Sequence, residues 1–556
     1  MDPTPGLRAR FPARWIFFDL PRVGPALTAP DAPPAPRPPT GHLAPGERVD
    51  PTAGGAPSLT AAWRRHWQAD PERPQIHDPD RGWHTRGTLD AVSAERAGHL
   101  AALGLRAGDR ILISAASSFD LVASYVASLR LGLVAIPTNT AYGPAELEHV
   151  VRDARPRAAI VDEPDRQAWL AAIDGDLVRL TPALESPDPT PGTTAAARSA
   201  DARAALDATR PHDPALICYT SGTTGRPKGA VLSHANCLAS AAALAAAWRW
   251  TEADRLILAL PLFHMHGLGV GLHGTLFTGA SAILQRGFRP AAVLDAIAQE
   301  HATLFFGVPT MYHRLAGEPR AGELASLRLC VSGSAPMPAA LHAAVEVASG
   351  QRVLERYGMT ETLMLVSNPH DGERRPGSVG LPLPGVELRL EGEPAEIQVR
   401  GPNVFAGYWE RPEANAEAFT ADGWFRTGDL GALDDDGYVR IVGRAKELII
   451  SGGYNVYPRE VEDAIRDHPR VEDVAVVGEP SEEWGEQVVA YVVEAADDDA
   501  GPDGGALDLA TLRAHLEGRL ASYKHPRALH SIGSLPRNAL GKVQKHRLAQ
   551  GRVRAE

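Results

Sequence analysis

Helix-length stretches alternate with short apolar runs from about residue 58 onward, and few folds accept that pattern. Leu89–Leu103 has the apolar spacing of a helix, whereas Arg110–Ala115 and Leu133–Pro137 read as buried strands of four to six residues. Repeated alternation predicts an α/β body whose parallel-rich sheets are covered by helices. Strands and turns dominate from Gly380 to Val442, including the turn Asp434-Asp-Asp-Gly437, which predicts a β-rich subdomain. The pattern changes again after Gly443. Val461–Asp467 and Leu509–Leu520 read as helices, Val471–Val477 and Val488–Val493 as strands, with an acidic loop at Asp497–Asp503. A small α+β domain follows. Residues 58–442 are expected to form the large domain, 443–446 a joint, and 447–556 the small domain. Residues 1–57 are rich in Pro, Ala and Gly, cannot bury enough surface to offset their ordering entropy, and read as a disordered arm. Glu185–Thr194 reads as a surface loop.

Charge and cysteine usage exclude several classes. A net charge of −12 lacks the basic face that nucleic acid requires. Three cysteines, Cys218, Cys237 and Cys330, have no metal-type spacing and read as buried thiols in a reducing compartment. No run of 18 apolar residues is present, so no membrane helix is expected, and Met1–Gly24 lacks the apolar stretch of a signal peptide. The cytoplasm is the expected location.

The sharpest local feature is Tyr219-Thr-Ser-Gly-Thr-Thr-Gly-Arg-Pro-Lys-Gly229. Glycines Gly222 and Gly225 let backbone amides approach an anion. The hydroxyls of Thr220, Ser221, Thr223 and Thr224 and the ammonium of Lys228 add donors. The chemistry implied is a polyphosphate cradle. Its spacing does not fit the G-x-x-x-x-G-K-[ST] loop of P-loop enzymes. The string is similar to the phosphate loop of the adenylate-forming superfamily of acyl-CoA synthetases, non-ribosomal peptide adenylation domains and luciferases. The resemblance spans roughly residues 58–550. It continues through Pro261-Leu-Phe-His-Met-His-Gly267, Tyr357-Gly-Met-Thr-Glu361, Trp424-Phe-Arg-Thr-Gly-Asp429, Gly443-Arg-Ala-Lys446, Ser451-Gly-Gly-Tyr-Asn-Val456 and Pro536-Arg-Asn-Ala-Leu-Gly-Lys542, in the family's order.

The resemblance implies a role for each position, together with ATP, CoA and Mg²⁺. Thr360 corresponds to the α-phosphate ligand and Glu361 to the magnesium ligand, where a single carboxylate suits a cation that keeps phosphates and waters. Asp429 and Arg444 correspond to the ribose contacts; Gly333, Ser334, Ala335, Tyr357 and Gly358 correspond to the adenine slot. His266 borders the reacting carboxylate. Lys542 reaches in during adenylation, Lys446 is the hinge of a swinging lid, and Gly452-Gly453 lines the passage of the pantetheine arm. Taken alone, Asp429 or Thr360 would read as a turn residue, His266 as a core histidine, and Lys542 as a solvated charge.

Three polar residues stand where a fatty-acid tunnel would be apolar: Arg314, Ser334 and Arg356. Their strings resemble the malonyl-CoA and methylmalonyl-CoA synthetases, in which two arginines and a serine hold the substrate's second carboxylate. Burying an unpaired carboxylate costs several kcal/mol, and the planar guanidinium fork can grip one bidentately. The alternative for each arginine is an ion pair with Glu355 or Asp371, or an exposed position. One departure is Gly287, which precedes Phe288 where those relatives carry a basic residue. The expected activity is malonate or methylmalonate activation, against a synthetase for short or medium monocarboxylic acids or an adenylating enzyme that loads a carrier protein. The expected partners are small molecules, without nucleic acid or membrane.

Overall fold

The computed structural model describes residues 41–43, 49–50, 55–185, 206–220, 227–495, 507–538 and 541–549. Most of the arm, the loop beyond Glu185 and the acidic Asp497–Asp503 loop lie outside them.

Two large sheets form the body. A nine-stranded sheet has a parallel centre in which Leu354–Tyr357, Leu329–Ser332, Leu304–Gly307, Arg255–Leu258, Ser281–Leu284 and Pro74–Asp78 lie side by side. A seven-stranded sheet runs from Gly407–Tyr408 through Lys228–Ser233, Pro214–Thr220, Val134–Pro137, Arg110–Ser114 and Ala158–Val161 to Val178–Leu180. The central strands are only four to seven residues long and almost wholly buried, as expected where helices cover both faces. The helix Phe119–Arg130 is buried at every position except Asp120, and its one basic end, Arg130, is neutralised by Asp90 at 2.6 Å and Asp207 at 3.2 Å. A helix apolar all round must lie inside, and this one packs in the main core with strands of both sheets.

The expected β-rich segment is a four-stranded antiparallel sheet, Glu387–Glu391, Glu396–Arg400, Phe425–Leu433 and Val439–Arg444. The short helix Pro412–Ala418 also falls there. The small C-terminal domain is a five-stranded sheet with its own core. Along Val471–Ser481, Val474 and Val476 pack on one face and Ala475 and Val477 on the other, so both faces are covered, with the period-two alternation of a strand. The predicted helix Leu509–Leu520 stops at Leu516.

The boundary drawn at residue 57 needs correction. His42 is buried and bonds through Nε2 to the Leu381 carbonyl at 3.1 Å, and Ala56 lies in the main core. These residues are part of the fold because each finds an apolar or hydrogen-bonding partner on the large domain. No helix among the described residues is long and apolar enough to cross a membrane.

Candidate active site

The phosphate string forms a hairpin in which Thr220 sits opposite Lys228. Ser221, Gly222, Thr223, Thr224 and Gly225 lie outside the described residues. Gly229 is required in the returning strand, where a Cβ would come within 2.6 Å of Ile217.

Two neighbouring parallel strands deliver the next group from their carboxyl ends, the usual ligand edge of such sheets. Gly333, Ser334 and Ala335 follow Leu329–Ser332, while Tyr357 ends Leu354–Tyr357 and leads into Gly358, Thr360 and Glu361. Gly358 has no room for a side chain, since its Cβ would lie 2.1 Å from the Leu363 carbonyl. The Tyr357 hydroxyl donates to Asp429 Oδ2 at 2.5 Å, and Arg444 Nε reaches Asp429 Oδ1 at 3.0 Å. Asp429 and Arg444 are cross-strand partners, so the sheet register itself sets this ion pair.

Beside this end lies a second cluster. His266 opens a seven-residue π-helix, His266–Leu272, an uncommon geometry that is frequent at functional sites. Ser334 takes φ +69°, left-handed for a non-glycine residue, and its hydroxyl lies 3.2 Å from His266 Nδ1. Among the described residues, His266 Nε2 is buried with no hydrogen-bond partner. Arg356 is buried too, and its Nε and Nη2 are without partners among the described residues. Its guanidinium lies against Gly333, whose Cβ would come within 2.4 Å of Arg356 Cζ. Neither alternative ion pair forms: Glu355 accepts from the Met337 amide at 3.0 Å and faces His342 at 3.3 Å, while Asp371 pairs with Arg249 at 3.0 Å. Burial pulls Arg356 down to about 9. Burial, and then the Arg356 charge, hold His266 well below its ordinary value; His264 falls to about 4 for the same reasons, with Lys542 adding to them. Both rings are therefore neutral near pH 7.

Arg314 is not in this cluster. It is exposed at the end of the helix Pro309–Ala316, with its guanidinium 5.2 Å from the centre of the Phe288 ring. The structure thus gathers Ser334, His266 and Arg356 and leaves Arg314 on the surface.

The small domain brings Lys542 to the same place. Gly541 takes φ +75° and its Cβ position lies 3.4 Å from Thr310 of the Pro309–Ala316 helix, so the lysine loop rests on the large domain. Lys542 N donates to Asn538 Oδ1 at 3.0 Å and its carbonyl accepts from Asn538 N at 2.9 Å, which closes the loop. Lys542 keeps solvent access, yet the surrounding chain and then Arg444 lower its pKa, with Glu447 and Asp429 opposing. Lys446 is exposed in the short turn Ala445–Glu447. Gly452 and Gly453, at φ +58° and +83°, form a two-residue hairpin turn between Ile449–Ser451 and Tyr454–Val456 that demands glycine-like backbone at both positions.

Glu361 is buried, and burial raises its pKa while the Tyr408 hydroxyl, bonded to Oε1 at 3.0 Å, opposes the rise. Tyr408 also carries Lys228, whose ammonium is 5.4 Å from the ring centre. Sequence reading missed Tyr408; its Gly-Tyr-Trp string becomes informative only when Gly407–Tyr408 pairs with the phosphate hairpin. A lone buried carboxylate that accepts one hydroxyl, near a phosphate-type lysine, fits a magnesium ion that takes its remaining ligands from phosphate and water.

Residues 63–409 match the family described as AMP-binding enzyme, and residues 460–542 match its C-terminal domain. The chain belongs to the AMP-binding enzyme family. It is 38% identical over 477 residues to a feruloyl-CoA synthase of Amycolatopsis sp, covering 83% of this chain and 92% of that one. It is 36% identical over 476 residues to a malonate–CoA ligase of Arabidopsis thaliana, covering 79% and 78%. Among solved structures, ATP-bound MatB from Rhodopseudomonas palustris superposes with a TM-score of 0.79 at 39% identity, covering 89% of this chain and 98% of that one. As an AMP-binding enzyme of this kind the chain is an AMP-forming CoA ligase, with ATP and CoA as substrates.

Proposed function

We propose that this AMP-binding enzyme activates malonate, with methylmalonate as a close second, to the corresponding CoA thioester. The observation that carries the reading is Arg356, a buried guanidinium whose Nε and Nη2 have no partner among the described residues. An uncompensated buried charge is costly, and a ligand that brings its own anion removes the cost. A dicarboxylate does so with the carboxylate that does not react. A hydrocarbon chain leaves the cation unpaired and is selected against.

The first half-reaction joins one substrate carboxylate oxygen to the α-phosphorus of ATP and releases diphosphate. Lys542 lies within electrostatic reach of His264, Arg444 and Asp429, and its ammonium would offset the charge of the attacking carboxylate and the α-phosphate. Thr360 holds an α-phosphate oxygen, and Asp429 with Arg444 holds the ribose. Magnesium at Glu361 would supply further neutralisation of phosphate charge. Neutral His266 packs beside the reacting carboxylate without adding a competing charge. In the second half-reaction the CoA thiolate attacks the acyl carbon and AMP leaves. We assign the pivot between the two poses to Lys446, within a joint at 443–446 that links a large domain ending at residue 442 to a lid at 447–556, and the pantetheine passage to Gly452-Gly453.

The exposed Arg314 favours a second reading. With one cation in the cluster instead of two, an aromatic or short monocarboxylic acid becomes a competitor, as the feruloyl-CoA synthase relative suggests. Diphosphate release measured across malonate, methylmalonate, succinate, acetate, butyrate and ferulate separates the two. Malonate or methylmalonate should lead; a lead by ferulate or butyrate replaces the proposal with the monocarboxylate reading.

A further inference from the structure

Tyr408 is held more firmly than a surface strand of two residues requires. Gly407 and Tyr408 pair with Val231 and Ala230 of the phosphate hairpin, and the next amide, of Trp409, donates to the Gly229 carbonyl at 2.7 Å. Asn415 closes the other side: its Oδ1 accepts from Tyr408 N at 2.6 Å and its Nδ2 donates to the Tyr408 carbonyl at 3.2 Å. Gly407 permits that closure, because a Cβ there would come within 2.9 Å of the Asn415 amide. Phe405 meets the Tyr408 ring edge-on at 4.9 Å. Backbone and ring are therefore fixed before any ligand arrives.

What the fixed ring touches is more informative. Its face lies 5.4 Å from the Lys228 ammonium, and its hydroxyl lies 3.0 Å from Glu361 Oε1. Lys228 comes from the seven-stranded sheet, whereas Glu361 follows a strand of the nine-stranded sheet. One side chain thus ties the two sheets together at the point where their charged groups converge.

We propose that Tyr408 is a positioning residue with two separable duties: its ring restrains the Lys228 ammonium, and its hydroxyl orients Glu361 for the divalent cation that accompanies ATP. The inference rests on the reading of Lys228 as a phosphate donor and Glu361 as the cation ligand. Lysine is a point charge on a flexible four-carbon stem, so an aromatic face beneath it narrows where the charge can be. A carboxylate accepts only, so the phenol must donate. With Oε1 engaged, the carboxylate plane is set and Oε2 is left for the cation. Such outer partners commonly govern metal affinity as strongly as weak ligands do.

The duties separate by substitution in the full chain, with ATP binding followed by titration calorimetry at stepped Mg²⁺ and again in EDTA. Tyr408→Phe keeps the ring and removes the hydroxyl. The Mg²⁺ concentration that half-tightens ATP binding should rise on the order of tenfold, with ATP affinity in EDTA held within about twofold. Tyr408→Leu removes both and should also weaken ATP in EDTA by roughly two- to fivefold, as Lys228→Met should. Glu361→Gln is the reference and should abolish the Mg²⁺ dependence. A wild-type Mg²⁺ response in Tyr408→Phe, alongside its loss in Glu361→Gln, overturns the assignment to Tyr408 alone. A wild-type response in Glu361→Gln overturns the reading of Glu361 beneath it. Equal weakening of Tyr408→Phe in Mg²⁺ and EDTA puts the hydroxyl on the nucleotide and also overturns the proposal.

Discussion

The end of the site that we assign to the ribose and the end that we assign to the acyl group solve opposite problems. At the ribose end the buried carboxylate of Asp429 already has two partners, Tyr357 and Arg444, set by sheet register. At the other end, where Arg356 precedes Tyr357 on its strand, Arg356 and His266 keep buried nitrogens with no partner among the described residues. A preorganised end can serve any reaction that begins with ATP. On the proposed reading, an end left unpaired makes a demand on the substrate that an acid with a second anion meets. On the proposed reading, catalytic generality and substrate choice belong to different ends of the site.

Variants can break that comparison. The largest effect is expected from Lys542→Ala: acyl-adenylate formation should fall by roughly 10²–10³-fold, while thioester formation from supplied acyl-adenylate persists. The preference between acids should stay unchanged, and stopped-flow diphosphate release with each acid checks it. Loss in both half-reactions would remove Lys542 from adenylation. Asp429→Asn comes next. It weakens two charge-assisted hydrogen bonds and should raise KM for ATP by roughly 10- to 100-fold, equally for every acid. A change confined to one acid would erase the division between the ends. Ser334→Gly should act least. It relieves the φ +69° strain of about 1 kcal/mol, so denaturant unfolding should show stability held or slightly raised. The lost hydroxyl contact to His266 should lower kcat/KM for malonate by about fivefold.

Much of this was legible in the chain. The alternation of short apolar runs with helices gave the two parallel-rich sheets, and the strands Val471–Val477 and Val488–Val493 lie inside the observed Val471–Ser481 and Gly485–Glu494. Local strings singled out Asp429 and Arg444, and the register of two adjacent strands brings these two side chains together. What remained hidden depends on distant contacts. Tyr408 matters only because its strand returns to pair with residues about 180 positions earlier. Arg314 and Arg356 looked equivalent as cations standing where a fatty-acid tunnel would be apolar, yet a strand buries one and the end of a helix exposes the other. His42 joined the fold through a single bond to Leu381, a contact that arm composition cannot reveal.

The central claim is that the unpaired Arg356 guanidinium selects a second anion. Its most direct test is the ratio of kcat/KM for malonate to that for butyrate, in the wild-type enzyme and in Arg356→Met. Truncating one partner of a desolvated charge pair costs roughly 30- to several-thousand-fold, so malonate should fall by a factor in that range. Butyrate should hold or rise, because methionine removes the uncompensated charge, and the ratio should collapse. A parallel fall for both acids, with the ratio preserved, would make Arg356 structural and contradict the claim.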